Sequence, residues 1–267
     1  MDIKLDEGFQ FGLGAFETIA VEEGRPILLD RHLRRLERAA AFFGFGPASV
    51  RGVTEEAVHK FIADQSEEET RHGAVKVVLS GENVLFQMRG NPYTEEKYLR
   101  GFVADISKVK RNETSQLVYH KTLNYGDCIL EKRAATAAGI QERVFLNTKG
   151  QICEGAVSNI FFVRKNKIYT PQLNCGLLPG ILREYVREKF EVNETVIYPE
   201  ELMYYDECFV TNSLMGVMPV CQLGSICFPH RTRTDEVRLY TKVRKCPCKE
   251  GHFFVYKSSH KKIDKTT

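Results

Sequence analysis

A polar segment near the middle of the chain divides the sequence into two halves. Residues 110–116, KRNETSQ, contain no apolar side chain, which is typical of a linker between domains. On both sides, short runs of alternating apolar residues and helical patterns follow one another, with no internal repeat and no long series of alternating strands and helices. The sequence therefore predicts an α+β fold in two parts: a smaller α/β domain over residues 1–109, the linker, and a larger domain over residues 117–243.

Local patterns place the main elements within these halves. The stretch FETIAVEEGRPILL (16–29) predicts a hairpin with its turn at EEGR, and the following LDRHLRRLERAAAFFGFG has apolar residues at helical spacing. The strand FVADISKV (102–109) closes the first half. In the second half, an alanine-rich helix is predicted over 125–138, and VIYP (196–199) is predicted to be one of several short strands.

The basic character of the chain is concentrated at its C-terminal end. The formal net charge is +3, yet residues 241–267 hold eight Lys/Arg against two Asp/Glu, so the rest of the chain is slightly acidic. Such a segment is typical of disorder, and aromatic residues are not interleaved with arginines as in a nucleic-acid site. We therefore expect residues 244–267 to be a disordered basic tail, with no nucleic-acid partner. Cys246, Cys248 and His252 are too few ligands for a zinc site, so we expect no metal.

The N-terminus and the cysteines indicate the compartment. The first residues, MDIKLDEGFQFG, are charged and lack the apolar run of a secretory signal. No stretch approaches the roughly 20 apolar residues of a membrane-spanning helix. The eight cysteines are scattered without paired, zinc-like spacing. These features favour a cytoplasmic protein with reduced thiols and no membrane partner.

Four features could carry chemistry, and each also has an ordinary structural reading. Lys121 precedes a helix at the domain junction, where desolvation would lower its pKa and make it nucleophilic, although most lysines are exposed surface charges. Glu154 lies in an apolar strand region, either as a strand-end residue or as a paired carboxylate. Gly180 precedes a helix whose free N–H groups form an anion site or bind only water. Arg35 lies on an amphipathic helix, where a solvated arginine is the commoner case.

The order of these residues resembles that of the class IV aminotransferase family, the fold type IV pyridoxal-phosphate enzymes. The family shows a Lys and an Asn before a helix, then Glu-Gly-x-x-x-Asn, Thr-Pro and Leu-x-Gly-Ile-x-Arg segments. Upstream, FGLGAFET and HLRRL resemble two further motifs, although Leu13 stands where the family usually has Asp. The resemblance covers roughly residues 7–225. The matching residues, in chain order, are Lys121, Asn124, Glu154, Gly155, Asn159, Ile160, Phe161, Thr170, Pro171, Leu178, Gly180, Ile181 and Arg183.

The resemblance implies a D-amino-acid-aminotransferase-like architecture, a homodimer, a small-molecule substrate and pyridoxal 5′-phosphate as cofactor. It implies that Lys121 attaches the cofactor covalently and moves protons, and that Glu154 pairs with the pyridine nitrogen. Tyr125 would reach the ring hydroxyl of the cofactor. The implied phosphate-binding groups are the Arg35 guanidinium, the N–H groups of Ile181 and Leu182, and the Ser213 hydroxyl.

Residues 210–220, VTNSLMGVMPV, indicate the branch of the family that the chain resembles. They are similar to the segment of the aminodeoxychorismate lyases, in which Leu214 and Met215 would form a bulky apolar wall. The lyase substrate carries two carboxylates, and Arg89 and Arg111 are candidates to bind them, although Arg111 is equally well read as a solvated linker residue. The expected reaction forms 4-aminobenzoate and pyruvate, a precursor step of folate synthesis. The alternatives are an aminotransferase for D- or branched-chain amino acids, and a non-enzymatic protein that keeps only the fold.

Overall fold

Two β-sheets form the framework of the protein. The structure is a computed structural model that describes residues 3–244. One sheet has four strands and the other nine, and helices pack on both. The mixture confirms the predicted α+β class. Beyond its first residue, the predicted basic tail lies outside the described residues.

The smaller sheet is antiparallel and comes from the first part of the chain. Its strands are β1 (Gly14–Glu22), β2 (Arg25–Pro26), β3 (His72–Ser80) and β4 (Val84–Gly90). They lie in the order β2-β1-β3-β4, so β1 and β3 are the central strands. The hairpin predicted at EEGR is confirmed, because Glu22 pairs with Arg25 across a two-residue turn whose residues both have positive φ.

One helix gives the smaller sheet much of its core and also brings polar groups inside. In α2 (Leu29–Phe43), the apolar side chains of Leu36 and Ala39 repeat at helical spacing and pack against the sheet. His32 and Arg35 lie on the same buried face. Buried polar side chains need hydrogen-bond partners, so this face of α2 is a candidate part of a functional site. The other helices of this part are α1 (Glu7–Phe11), α3 (Glu55–Ala63) and α4 (Glu67–Arg71).

The larger sheet is mixed and has an almost entirely apolar centre. In chain order, its strands are β5 (Phe102–Arg111), β6 (Glu142–Asn147), β7 (Ile152–Gly155), β8 (Asn159–Arg164), β9 (Lys167–Pro171), β10 (Val192–Thr195), β11 (Glu207–Asn212), β12 (Gly216–Leu223) and β13 (Ile226–Cys227). The order across the sheet is β10-β9-β8-β11-β12-β5-β6-β7, with β13 paired to β12. The buried strands β8 and β11 stack the rings of Phe161 and Phe209 against each other, 4.8 Å between centroids.

The remaining helices cover and connect the larger sheet. They are α5 (Glu95–Arg100), α6 (Gly126–Ala137), α7 (Ile181–Lys189) and α8 (Thr232–Arg244), with short 3-10 turns at Gln116–Tyr119, Leu173–Cys175 and Pro199–Tyr204. The helix predicted over 125–138 is confirmed as α6. The strand predicted at VIYP is wrong: the strand is the preceding VNET, which pairs with β9, and Pro199 opens a 3-10 turn.

The predicted assignment of residues 102–109 to the smaller domain is wrong. These residues belong to β5, which pairs in parallel with β12 and β6 in the larger sheet and extends to Arg111. The first two residues of the predicted linker are therefore also strand. Parallel pairing joins segments that are far apart in sequence, so no local pattern revealed it.

Among residues 3–244, none of the helices combines the length and apolar character needed to cross a bilayer. The same described residues contain no cluster of three or more His, Cys, Asp or Glu side chains suited to a metal ion.

Candidate active site

A cavity of about 860 Å³ lies between the two sheets and collects most of the predicted site residues. Seven lysine and arginine side chains line it, against one aspartate and one glutamate. A cleft lined mainly by one sign of charge concentrates ions of the other sign. The cavity therefore favours anionic ligands. The predicted residues that line it are Arg35, Arg89, Arg111, Lys121, Tyr125, Glu154, Ile181, Leu182, Ser213 and Leu214.

Lys121 is held in the cavity by the smaller sheet. The Phe16 N–H donates to the Lys121 carbonyl (2.9 Å), and the Leu123 N–H donates to the Gly14 carbonyl (2.8 Å). This backbone pairing adds the lysine segment to the free end of β1. The Lys121 Nζ lies 4.5 Å from the Phe16 ring centroid and 5.0 Å from that of Tyr125. The amine therefore lies between two aromatic faces, and Lys121 is half-buried.

The surroundings of Lys121 favour its neutral, nucleophilic form. Burial, followed by the positive charge of Arg35, lowers the pKa of the Lys121 amine to about 8 from the 10.5 of an ordinary lysine. A neutral lysine amine is the form that reacts with carbonyl groups. The surface-charge reading of Lys121 is therefore the weaker one.

This lowered pKa gives a direct prediction for the cofactor-free protein. Because the folded pKa lies below that of an exposed lysine, the neutral fraction of Lys121 should rise tenfold per pH unit below pH 8 and level off above it. At pH 8 about half of the amine is neutral, against roughly 0.3 % for an unperturbed lysine. Competitive acetylation with acetic anhydride between pH 6 and 11, followed by peptide mass analysis, measures this.

The exposed Lys60 on α3 is the internal reference for that experiment. Acetylation of an ordinary exposed lysine keeps rising toward about pH 10.5. If Lys121 follows the same curve as Lys60, its amine is not desolvated as described.

Glu154 is a buried carboxylate with both oxygens engaged. It lies on β7, and its Oε1 accepts from the Nε (3.1 Å) and the Nη2 of Arg111. Its Oε2 accepts from the Leu178 N–H at 3.1 Å. A carboxylate held by a guanidinium in this way is fixed in direction. It faces the cavity as an anion among cations, so the strand-end reading does not describe it.

The prediction that Arg111 is free to bind a substrate carboxylate is wrong in this structure. Its guanidinium is committed to Glu154 and lies 5.2 Å from the Phe145 ring centroid. The reason is that strand β5 extends to Arg111 and places its guanidinium next to Glu154 on β7. Arg111 is a positioning residue for Glu154.

The opposite end of the cavity is suited to a phosphate. Helix α7 begins at Ile181 after Gly180, with no side chain capping its N–H groups. A Cβ at Gly180 would collide with the Asn159 Oδ1, so only glycine allows this approach. Arg35 reaches the same point, where its Nη1 donates to the Pro179 carbonyl at 3.3 Å. Free helix N–H groups beside a guanidinium form an anion site.

Arg35 is oriented by a buried network. Its Nε donates to the Glu17 Oε1 and its Nη2 to the Glu17 Oε2, both at 2.7 Å. The His32 Nδ1 lies 2.6 Å from the Glu17 Oε2. Burial alone would raise the pKa of Glu17, but the charges of Arg35 and His32 bring it to about 2. Burial lowers the pKa of His32. Glu17 and His32 lie in the motifs FGLGAFET and HLRRL, yet the sequence alone assigned them no role.

The turn between β11 and β12 closes the cavity beside the helix start. Ser213 and Leu214 line the cavity. Met215 does not: it is 2 % exposed and packs in the core of the larger sheet. Thr211 was missed, and its buried Oγ1 has no hydrogen-bond partner among the described residues. Nothing in the sequence distinguishes this hydroxyl from an ordinary strand threonine.

Two further predicted residues also line the cavity. The Tyr125 hydroxyl donates to the Ala156 carbonyl (3.2 Å), next to Glu154 along the chain. Arg89 on β4 is exposed at the cavity wall. Lys76 on β3 also lines the cavity and was missed, because a lysine within AVKVVLS resembles a solvent-facing strand residue.

The residues present fit the cofactor that the resemblance implies. Lys121 supplies an amine of lowered pKa, Glu154 a carboxylate for a ring nitrogen, and the start of α7 with Arg35 an anion site. The unpartnered Thr211 hydroxyl and the glycine cradle at Gly180 are unmet hydrogen-bonding capacity of the kind that a bound phosphate satisfies.

Comparisons with known proteins agree with this fit. Residues 14–223 match the family model described as amino-transferase class IV. A Thermotoga maritima protein named "probable branched-chain-amino-acid aminotransferase" is 33% identical over 222 residues, 80% of this chain and 78% of that protein. The aminodeoxychorismate lyase of Bacillus subtilis is 26% identical over 243 residues, 83% and 81% of the two chains. The solved 4-amino-4-deoxychorismate lyase of Pseudomonas aeruginosa is 24% identical and has a TM-score of 0.78, with 91% and 96% coverage.

Proposed function

Because the chain belongs to the class IV aminotransferase family, whose cofactor is pyridoxal 5′-phosphate, we propose that it is the lyase that converts 4-amino-4-deoxychorismate to 4-aminobenzoate and pyruvate. When bound, the cofactor supplies an electron sink for the charge that develops as a proton leaves the carbon next to the substrate amine. The rest of the chemistry is assigned to side chains of the cavity.

The side chains divide the work by position. Lys121 would hold the cofactor, and its neutral Nζ would take the proton from the amine-bearing carbon of the substrate. Glu154 would hold the ring nitrogen of the cofactor. Arg35, Ser213 and the start of α7 would hold its phosphate. The carbon–oxygen bond to the enolpyruvyl group then breaks, the six-membered ring becomes aromatic, and the enolpyruvate leaves and is protonated to pyruvate.

The observation that carries the lyase proposal is the turn that presents Leu214. The Asn212 Oδ1 accepts from the N–H groups of Leu214 (3.0 Å) and Met215 (2.8 Å), and its Nδ2 donates to the Val157 carbonyl (3.1 Å). Asn91 donates from Nδ2 to the Leu214 carbonyl at 3.1 Å. This bonding fixes a bulky apolar side chain as one wall of the cavity. A flat cyclohexadiene ring suits such a wall.

The alternative is an aminotransferase for a D- or branched-chain amino acid. The identity to the Thermotoga maritima relative supports it. The exposed cation of Arg89 at the cavity wall suits the second carboxylate of the lyase substrate.

A product assay separates the two activities. Cofactor-loaded protein should form 4-aminobenzoate and an equal amount of pyruvate from 4-amino-4-deoxychorismate without any added keto acid. An aminotransferase needs a keto acid and converts it to a new amino acid. The assay is run with and without 2-oxoglutarate, and with leucine and D-alanine as amino donors. Absence of 4-aminobenzoate from loaded enzyme would overturn the lyase proposal.

We also propose a cytoplasmic homodimer. Phe9 and Phe11 on α1 are 74% and 63% exposed, and large exposed apolar groups mark contact surfaces. The cysteines among the described residues are free thiols, which suits a reducing compartment. A sedimentation mass of one chain would contradict the dimer.

A further inference from the structure

A second cavity, of about 640 Å³, lies behind the wall that Leu214 forms. It is enclosed by the β1–β2 turn, the start of α5, the turn between β11 and β12, and helix α8. Tyr93 and Leu214 line both this cavity and the one that contains Lys121. These two residues therefore form a partition between the two cavities. A side chain with open space behind it lacks packing contacts on that side, so its position depends on how its backbone is held.

The backbone of the Leu214 turn is held by side chains at all four of its polar groups. The Asn212 Oδ1 accepts from the N–H groups of Leu214 and Met215. The Asn91 Nδ2 donates to the Leu214 carbonyl at 3.1 Å, and the Tyr98 hydroxyl donates to the Met215 carbonyl. Asn91 and Tyr98 both lie in the segment between β4 and β5. The position of Leu214 therefore depends on side chains that belong to neither sheet.

Tyr98 is itself held by helix α8. The guanidinium carbon of Arg238 lies 4.1 Å from the Tyr98 ring centroid, as in a cation–π contact. The Arg238 Nη2 donates to both Glu95 oxygens, at 2.7 and 2.8 Å, and the Lys242 Nζ donates to the Glu95 Oε2 at 3.1 Å. Burial raises the pKa of the Tyr98 hydroxyl, which therefore keeps its proton and remains a donor. Helix α8 is thus connected through Tyr98 to the turn that carries Leu214.

The hydrogen bond from Tyr98 is costly to lose. Met215 is 2 % exposed, so its carbonyl has little access to water as a substitute donor. A buried acceptor that loses its partner carries its full desolvation cost. The turn can lower that cost by moving toward the second cavity, and Leu214 would then withdraw from the cavity that contains Lys121.

We propose that Tyr98 is a positioning residue that keeps Leu214 against the active-site cavity and thereby limits the bound ligand to a single six-membered ring. The proposal rests on the proposed lyase function and makes its specificity more precise: a single flat ring fits against the wall, and a fused pair of rings does not. The Tyr98 hydroxyl acts through the Met215 carbonyl and Leu214.

Binding of two aromatic amino acids of different size tests this role. The probes are 4-aminobenzoate and the bicyclic 6-amino-2-naphthoate, titrated calorimetrically into cofactor-loaded protein. The wild type should prefer the single ring. Tyr98→Phe removes only the hydroxyl and should reduce that preference about 3- to 10-fold, as expected for the loss of one hydrogen bond to a buried carbonyl. Arg238→Gln keeps the hydroxyl but uncovers the ring, so it should shift the preference in the same direction by a smaller factor.

A double variant distinguishes positioning of Leu214 from a general structural role. Leu214→Ala should itself reduce the preference, because it removes the wall side chain. In the Leu214→Ala protein, Tyr98→Phe should cause no further change, since two residues that act through the same contact are not additive. The matched control is Tyr204→Phe, which removes the hydroxyl of a tyrosine that is 58% exposed and lines neither cavity. It should leave both titrations unchanged, and thermal unfolding confirms that each variant is folded.

Three results would refute the role of Tyr98: equal binding of both rings by the wild type, a wild-type preference in Tyr98→Phe, or an equal shift with and without the Leu214 side chain. Arg238→Gln provides the same comparison if Tyr98→Phe does not fold. If the preference shifts as expected but no 4-aminobenzoate forms from 4-amino-4-deoxychorismate, the positioning role stands and the proposed reaction fails.

Discussion

Lys121→Ala is expected to lower turnover at least about 10⁴-fold, because it removes both the covalent anchor of the cofactor and the proton-accepting amine. The fold should survive, since the change removes an amine whose protonation burial already opposes. Steady-state formation of 4-aminobenzoate measures the loss, with unfolding in urea as the stability check. Borohydride reduction of the wild-type holoenzyme, followed by peptide mapping, should place the cofactor on Lys121.

Lys132→Ala is the matched control. Lys132 also lines the cavity, but its Nζ donates to the Gln141 carbonyl at 2.6 Å and not to Lys121 or Glu154. Its loss should leave turnover within about tenfold of the wild type. Turnover by Lys121→Ala at the level of this control, or a cofactor label on a different lysine, would sink the assignment.

Glu154→Gln should reduce turnover about 10²- to 10³-fold while the protein still retains its cofactor. The amide cannot keep a ring nitrogen protonated, whereas the phosphate site at Arg35 and α7 does not depend on Glu154. Arg111 complicates the variant, because it would lose its only carboxylate partner among the described residues. Breaking one half of a buried ion pair costs about 3 kcal/mol of unfolding free energy.

A double variant separates rate from stability. In Glu154→Gln/Arg111→Met, the unpaired cation is gone, so the unfolding free energy should recover while turnover stays low. Urea unfolding and kcat are measured on both variants and on Arg111→Met alone. Recovery of turnover in the double variant would mean that the carboxylate serves only to neutralise Arg111.

The sequence predicted the residues with ordered motifs and missed those whose role depends on packing. Lys121, Glu154 and the start of α7 have sequence neighbours that belong to recognisable motifs, and the structure brings all of them to one cavity. Lys76 has no such neighbours: alternation in AVKVVLS assigns it to one face of β3 but does not say that the face is covered. Thr211 is missed for the same reason, because an unpartnered hydroxyl is visible only when its surroundings are known.

Two mistaken predictions have a shared physical origin in long-range geometry. The assignment of β5 depends on parallel pairing with β12 and β6, more than thirty residues away in the chain. The side-chain direction of Met215 is set by the Asn212 turn, which sends Leu214 toward the cavity and Met215 into the core. Helices α2 and α6, by contrast, form from contacts within about four residues and were predicted well.

The backbone pairing of Lys121 with β1 makes its amine part of the smaller sheet, although its chain segment leads into the larger one. Glu154 moves with the larger sheet. Any relative motion of the two sheets therefore changes the separation of amine and carboxylate, and the reactive arrangement exists only at one relative orientation. If the chain were cut between β4 and β5, the C-terminal half would carry both Lys121 and Glu154 but would lack β1, which holds the lysine segment. A ligand that contacts both sheets would hold them in the orientation that aligns the Lys121 amine with the Glu154 carboxylate.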